Sequence, residues 1–228
     1  MLSHIDETGK AKMVDVTSKA FTVRKAFAKG TVYVGEKILA LIADNNIQKG
    51  DVLATAKIAG ILAAKKTGAL IPLCHPLNIT FADIKFQLDT LEESVIIFSE
   101  VAINAPTGVE MEALTAVNIA ALTIYDMCKG ADKSIFLGEF SLLKKTGGKS
   151  GTFKNSSKIQ GYVAENIEIG HNNGTEVEII GILPEIIDSG DMFQCGANKI
   201  KAEIIEGKAK FFSKTPLKIT KGEKICLL

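Results

Sequence analysis

One stretch constrains the fold more than any other: GVEMEALTAVNIAALTIYDMCKG, from Gly108 to Gly130. Its centre is almost entirely apolar and is interrupted only by Thr115, Asn118 and Thr123. A surface helix would carry a polar face along its length, so this pattern predicts a helix that protein surrounds on most sides. Charged residues stand only at its two ends. These charged residues lie next to apolar protein of low dielectric constant, which shifts their pKa values. Shifted pKa values suit acid–base chemistry.

Strand and helix patterns alternate around this helix. Asp51 is a good N-cap for an Ala-rich helix with an apolar face of Ile58, Ile61 and Leu62. The other predicted elements are one strand or a strand pair over Thr22–Val34, a helix over Glu36–Asp44, the capped helix over Val52–Lys66, a hairpin of Thr80–Leu88 and Ser94–Ile103, and a strand over Ser134–Lys144. This order predicts an α+β fold with a layer of helices on an antiparallel sheet.

The sequence changes character after a Gly/Ser-rich segment, Thr146–Lys158, which is the natural linker. Later periodic segments all resemble strands and lie at Gly161–Ile169, Glu176–Leu183, Lys199–Glu206, Lys208–Phe212 and Lys224–Leu228. Turns are expected at Asn172–Gly174, at Glu206–Gly207 and at Thr220–Gly222. We therefore predict two domains, residues 1–154 and 155–228, the second a small all-β barrel or sandwich.

Composition narrows the class of protein. With 228 residues, 46% hydrophobic composition and a formal net charge of +1, the chain can bury a sizeable core but has no general attraction to nucleic acid or membranes. No targeting peptide and no membrane-spanning stretch is recognisable. The four cysteines have neither CxxC spacing nor a metal-ligand pattern, so reduced thiols are expected. A soluble cytoplasmic protein without a metal centre is predicted.

Two segments could carry acid–base chemistry. Pro72 and Pro76 stiffen the loop that holds Cys74 and His75, so the imidazole is held in place. A structural histidine in a rigid turn explains this loop too, and the residues alone favour that interpretation. Asp126 shares a face with Lys129 in the last turn of the long helix, where the helix dipole opposes a negative charge. A carboxylate placed against its local preference is a reason to expect function.

The other charged positions have two interpretations each. Glu110 and Glu112 lie in the first helical turn, where capping explains them, but a carboxylate there could also bind a guanidine-like edge. The segment Lys144–Gly151 lacks the GxxxxGK[ST] spacing of a P-loop. Its glycines and lysines suit a phosphate-bearing ligand, and a plain basic linker is an equal alternative. Lys49 and Arg24 could add cations near such an anion.

Five segments, in order, resemble the cyclic pyranopterin monophosphate synthase family of molybdenum cofactor biosynthesis. They are KGDVLATAKIAGILAAKKT at Lys49–Thr67, LIPLCHPL at Leu70–Leu77, TGVEMEALTAV at Thr107–Val117, ALTIYDMCKG at Ala121–Gly130 and LLKKTGGKSG at Leu142–Gly151. Five ordered motifs are far more specific than any single one. The resemblance covers about residues 11–154. It implies a ferredoxin-like α+β fold and a homohexamer, a trimer of dimers, with active sites at the dimer interface.

The resemblance also implies a reaction and its residues. A phosphorus–oxygen lyase of this family converts 3′,8-cyclo-7,8-dihydroguanosine 5′-triphosphate to cyclic pyranopterin monophosphate and releases pyrophosphate. The catalytic positions carry over to Asp126, Lys129 and Lys49. The substrate-binding positions carry over to Leu73, Cys74, His75, Glu110, Met111, Glu112, Lys145, Lys149 and Arg24. No cofactor is implied with certainty, and Mg²⁺ could accompany the triphosphate.

About 75 residues follow the point where members of this family commonly end. We expect this tail to contact a pathway protein or a small ligand, with a spacer or solubility domain as the alternative. Within it, His171 is expected in a solvated turn, and Cys195 and Cys226 in the core or in strands. Two other hypotheses concern the whole chain: a non-catalytic oligomer that senses a nucleotide or phosphate, and a scaffold that supports an active β-domain.

Overall fold

Residues 8–170 and 174–228 are described by the computed structural model, and their contacts divide the chain into two units, Met1–Phe153 and Lys154–Leu228. The helices of the first unit are α1 Glu36–Ala43, α2 Val52–Leu70 and α3 Glu110–Cys128. The strands are β1 Thr22–Tyr33, β2 Phe81–Asp89, β3 Ser94–Ala105 and β4 Phe136–Thr146, and the short β5 Phe153–Lys154 spans the boundary between the units. Within the described residues, no helix is both long and apolar enough to cross a membrane.

The main sheet is antiparallel and has the strand order β2-β3-β1-β4-β5. Helix α3 packs against this sheet, and Ala113, Ala116 and Ala120 on α3 are fully buried. The hydroxyl of Ser99 on β3 donates a 2.8 Å hydrogen bond to the carbonyl of Ala113, which fixes the helix on the strand. The expected α+β architecture and the buried central helix are both confirmed.

Helix α2 begins where the sequence predicts, because the Asp51 carboxylate accepts a 2.9 Å hydrogen bond from the backbone N–H of Ala54. Of the apolar face noted in the sequence, Ile61 packs against the core, whereas Ile58 and Leu62 are exposed. Ile58 is 61% exposed, whereas the small residues Ala56 and Gly60 are buried. Small residues allow α2 and α3 to approach closely, so the contact is made by backbone and methyl groups rather than by large side chains.

The other predicted elements of the first unit also form. Thr22–Tyr33 is one long strand rather than a pair, and its pairing with β4 shifts register near Lys29. The hairpin of β2 and β3 is confirmed, with Asp89 accepting hydrogen bonds from the backbone N–H groups of Leu91 and Glu92. These bonds satisfy two backbone N–H groups of the turn and explain why an Asp stands at its start.

The second unit is built of short strands and one short 3₁₀ helix at Pro184–Ile186. Its strands are β6 Gln160–Val163, β7 Ile167–Ile169, β8 Thr175–Glu176, β9 Ile179–Ile180, β10 Met192–Cys195, β11 Asn198–Ile205, β12 Lys208–Phe212, β13 Leu217–Ile219 and β14 Lys224–Leu227. Seven of these form one sheet in the order β8-β12-β11-β10-β14-β6-β9, and β13 pairs with β7. The rings of Phe193 and Phe211 meet edge to face at 5.5 Å in its core.

Two strand predictions for this unit are wrong in extent. The segment Gly161–Ile169 is two strands that belong to different sheets, and Glu176–Leu183 is divided into β8 and β9. Gly181, at φ +97°, ends the second of these because an extended strand cannot continue through that conformation. The turn at Glu206–Gly207 is confirmed by positive φ at both residues.

The cysteines of this unit behave as expected. Burial raises the pKa of the Cys195 thiol to about 12, with the nearby Glu223 carboxylate adding to the effect, so it is an unreactive core residue. Cys226 lies on β14. His171 and the predicted turn at Asn172 and Asn173 lie outside the described residues.

Candidate active site

A cavity of about 440 Å³ lies between the start of α3 and the proline-bounded loop before β2. Six positions that were carried over from the family line it together: Leu73, Cys74, His75, Glu110, Met111 and Glu112. The two motifs that contribute them are distant in sequence. The fold brings them together because α3 begins beside the end of α2, and the stiff loop follows α2 directly.

Glu112 is the chemically distinctive group in this cavity. The residue is only 3% exposed, and burial raises the pKa of its carboxyl from 4.5 to about 7, with the charge of Glu110 adding to the rise. A carboxyl that titrates near neutral pH can both give and accept a proton under physiological conditions. Capping alone therefore does not account for Glu112, and its position suits a general acid or base.

His75 is held from a second direction by the chain before β1. Its Nε2 lies 2.8 Å from the backbone carbonyl oxygen of Val14. Because a carbonyl only accepts, Nε2 carries the proton, and in the neutral imidazole Nδ1 is left as an acceptor. Burial raises the pKa of the neighbouring Cys74 thiol, with Glu112 adding to the rise, so this thiol is not an activated nucleophile.

A second cavity, of about 620 Å³, adjoins the first and is cationic. Arg24 and Lys149 line it, and Lys19 and Ser150 line both cavities. Lys145 donates a hydrogen bond to the Ser150 hydroxyl and so belongs to the same region. Three carried-over cations thus lie beside the carboxylate cavity, in a place where they can bind an anionic group.

Arg24 is fixed within this second cavity. Its Nε donates a 2.9 Å hydrogen bond to the carbonyl of Ala105, and its Nη2 donates a 3.0 Å bond to the carbonyl of Pro106. Both carbonyls belong to the segment that leads from β3 into α3. The guanidinium is therefore placed in relation to the helix that carries Glu110 and Glu112.

The remaining predicted residues form a separate cluster at the other end of α3. The Lys129 Nζ lies 2.5 Å from one oxygen of the Asp126 carboxylate, and the Lys49 Nζ lies 3.2 Å from the other. Lys49 also donates a 2.6 Å bond to the backbone carbonyl of Asp126. The hydrogen bonds from Lys129 and then Lys49 lower the pKa of Asp126, and those to Asp126 raise the pKa of Lys129. The cluster is solvent-exposed and charged.

Within one chain, these two groups of residues do not form one site. Asp126 lies 14 residues after Glu112 on the same helix, which is about 21 Å along the axis. The reacting atoms of one bound substrate therefore cannot contact Glu112 and Asp126 of the same chain at once. The family motifs name both groups together, although their spacing of 14 residues on one helix already separates them.

Sequence reasoning missed Lys19, which lines both cavities. It lies before β1, in a segment without regular structure, so no periodicity or motif spacing distinguishes it from the other lysines. Val14 was missed too. It lies in the same irregular segment, and it contacts His75 through its backbone carbonyl, which the side-chain pattern does not reveal. Among the described residues, no group of three or more His, Cys, Asp or Glu is placed to hold a metal ion.

Comparison with known proteins gives a consistent result. The model of the MoaC family matches residues 13–148. A protein of Listeria monocytogenes serotype 4a named cyclic pyranopterin monophosphate synthase is 58% identical over 153 residues, 67% of this chain and 95% of that protein. Proteins of the same name from Heliobacterium modesticaldum and Thermoanaerobacter pseudethanolicus are 54% and 52% identical, over 96% and 97% of their lengths. What remains of these relatives is too short to contain a counterpart of the second unit.

Proposed function

Because the chain belongs to the MoaC family, we propose that it is a cyclic pyranopterin monophosphate synthase, a lyase of molybdenum cofactor biosynthesis. It converts 3′,8-cyclo-7,8-dihydroguanosine 5′-triphosphate to cyclic pyranopterin monophosphate and releases pyrophosphate. One observation carries the proposal: a cavity with a buried carboxyl of pKa about 7 adjoins a second cavity lined by cations. Purine rearrangement needs the first kind of group, and a departing pyrophosphate needs the second.

The two cavities divide the substrate between them. The base and its rearranging ring occupy the cavity of Glu110, Glu112 and His75, where carboxylates bind the guanidine-like edge and exchange protons. The triphosphate occupies the cavity of Arg24 and Lys149. There a ribose hydroxyl attacks the α-phosphorus and the bond to the β-phosphate oxygen breaks. The cations stabilise the charge that collects on the pyrophosphate. Mg²⁺ enters this proposal only as an ion that the triphosphate brings.

We further propose that the catalytic cluster of Asp126, Lys129 and Lys49 completes the cavity of a second protomer. The distance of about 21 Å along α3 supports this, since one chain cannot supply both groups to one substrate. The chain would then act as a homohexamer, a trimer of dimers, with each site at a dimer interface. In that site Asp126 and Lys129 transfer protons, and Lys49 stabilises developing negative charge.

Two further assignments belong to this proposal. We assign the first unit to the ferredoxin-like arrangement, and the order β2-β3-β1-β4, with helices before β2 and after β3, supports the assignment. We place the protein in the cytoplasm, which is consistent with its four free cysteines.

For the second unit we propose a binding role, directed at a pathway protein or a small ligand. An ordered β-unit with fully buried Phe193, Phe211 and Ile200 has a core of its own, which a plain spacer does not need. A chain ending at Phe153 tests this. If that chain matches the full-length protein in turnover, assembly and partner pull-down, the binding role is wrong.

Turnover of the purified full-length chain tests the function. The cyclised GTP derivative is the substrate, and pyrophosphate release and pterin formation are measured in the same assay. We expect both products, and we expect the Asp126→Asn exchange to abolish both. Asp132→Asn is the matched control, because this carboxylate is also exposed and accepts hydrogen bonds from Ser134 and from the Lys133 backbone, not from a lysine side chain. Binding of the substrate without either product would favour a nucleotide sensor instead.

A further inference from the structure

The loop after β4 passes directly beneath the guanidinium of Arg24. A Cβ built on Gly148 would lie 2.8 Å from the Arg24 Cζ and 3.2 Å from its Nη2, and closer still to its Nη1. Real Cβ atoms essentially never approach a heavy atom within 3.0 Å. The guanidinium therefore occupies the space that any side chain at position 148 would need.

Arg24 cannot move away from position 148 without losing other contacts. Its Nε and Nη2 donate to the carbonyls of Ala105 and Pro106, as described above. The missing side chain of Gly148 and these two carbonyls together define one position of the guanidinium. A guanidinium has five N–H donors in a fixed plane, so holding the plane also fixes the direction of the donors that remain for a ligand.

We propose that Gly148 is a positioning residue for anion binding: it leaves the space in which Arg24 is held against the cationic cavity. This inference rests on the proposed function, in which that cavity receives the triphosphate. It also gives Gly148 a role different from that of the flexible phosphate-binding loop that the sequence suggested. The ligand is bound by Arg24, and Gly148 acts through it.

The two adjacent glycines differ in what a side chain would meet. A Cβ on Gly147 would collide with the backbone carbonyl of Val23, so a substitution there would disturb the pairing of β1. At Gly148 the obstacle is the end of a side chain, which can move while the fold is kept. Gly148→Ala is therefore the variant that displaces Arg24 without breaking the sheet.

Gly151 provides the matched control in the same loop. Both glycines have positive φ, +72° at Gly148 and +63° at Gly151, so alanine suffers similar backbone strain at either position. A Cβ on Gly151 would meet nothing within 4 Å. Any loss seen in Gly148→Ala but not in Gly151→Ala therefore arises from the collision with Arg24 and not from strain.

The experiment measures pyrophosphate affinity by titration calorimetry in the full-length chain, with KM and kcat for the cyclised substrate and a melting curve for each variant. We expect Gly148→Ala to weaken pyrophosphate binding about tenfold, as for loss of one charge-assisted contact, and to raise KM more than it lowers kcat. Gly151→Ala should stay within about twofold of wild type. In an Arg24→Ala background, Gly148→Ala should cause no further loss, because the residue it displaces is absent.

Three results would overturn the inference. Equal losses in Gly148→Ala and Gly151→Ala would assign the effect to backbone strain. Losses that multiply in the double variant would mean that Gly148 acts independently of Arg24. If Arg24→Ala binds pyrophosphate as tightly as wild type, the cationic cavity is not the anion site, and the failure then belongs to the proposed function rather than to Gly148 alone.

Discussion

Replacing Glu112 by Gln should make the protein more stable at pH 8 and leave its stability at low pH unchanged. The carboxyl has a pKa of about 7 in the folded chain and 4.5 as its ordinary value. Below 4.5 it is protonated in both states, so it contributes no pH dependence. Between these values the unfolded chain ionises while the folded chain stays protonated. Stability of the wild type therefore falls as the pH rises, until the carboxyl is ionised in both states.

The size of the effect follows from the same shift. A rise from 4.5 to about 7 corresponds to about 3 kcal/mol at ~1.36 kcal/mol per pKa unit. Glu112 borders a cavity that admits water, and this screening reduces the expected difference to about 2 kcal/mol. The gain would show that the Glu112 carboxyl of the candidate site is held at a cost in stability, as is common for functional groups.

Urea unfolding of wild type and Glu112→Gln at fixed protein concentration, between about pH 4.5 and about pH 8, measures this difference. The half-buried Glu110→Gln is measured in parallel, since it removes a carboxylate from the same helical turn. The stability of Glu112→Gln relative to the wild type should increase steadily as the pH rises. A difference that does not change with pH, or a wild type that is more stable than Glu112→Gln at pH 8, would show that the pKa of Glu112 is not raised in the folded chain.

Three further predictions concern single contacts. Gly60→Ala should destabilise the first unit by about 1–3 kcal/mol in urea unfolding, because its Cβ would lie 2.9 Å from the carbonyl oxygen of Ala116 on the facing helix; an unchanged midpoint would contradict the close approach of α2 and α3. Gly108→Ala should raise KM with little change in melting temperature, because its Cβ would lie 2.6 Å from the Cδ of the Glu110 carboxylate and displace it; an unaltered KM would refute this. Asp51→Ala should cost about 1 kcal/mol through the lost cap and leave KM unchanged.

Local rules predicted the first unit well because its elements are long and have clear ends. The Asp51 cap and the apolar centre of α3 each identified a helix. The apolar face noted on α2 coincides only in part with its packing face: Ile61 packs against the core, but Ile58 and Leu62 are exposed. Tertiary packing uses the small residues instead, because close contact with α3 leaves no room for large ones.

Short strands were harder to predict than long helices. Met192–Cys195 and Leu217–Ile219 were not predicted at all, since three or four residues give no usable alternation. The long predicted strand Gly161–Ile169 changes sheet part of the way along, which depends on partners that are distant in sequence. Pairing partners, rather than local preference, define these elements.

The candidate site was predicted in its residues but not in its arrangement. The family motifs identified the residues around Glu112 and the cluster around Asp126 together. Their spacing of 14 residues on one predicted helix already implies about 21 Å between them, but the carried-over positions were treated as one site. Lys19 and the carbonyl of Val14 could not be found, because an irregular segment carries no pattern that predicts its path.

Activity of mixed subunits tests the account most directly. Asp126→Asn and His75→Ala are each expected to abolish pyrophosphate release when assayed alone. The two variants are then co-expressed with different tags, and the assemblies that carry both tags are purified. If the cluster of one protomer completes the cavity of its partner, random pairing restores about a quarter of the wild-type sites, and pyrophosphate and pterin both reappear. Mixed assemblies as inactive as either parent would contradict a site shared between two protomers.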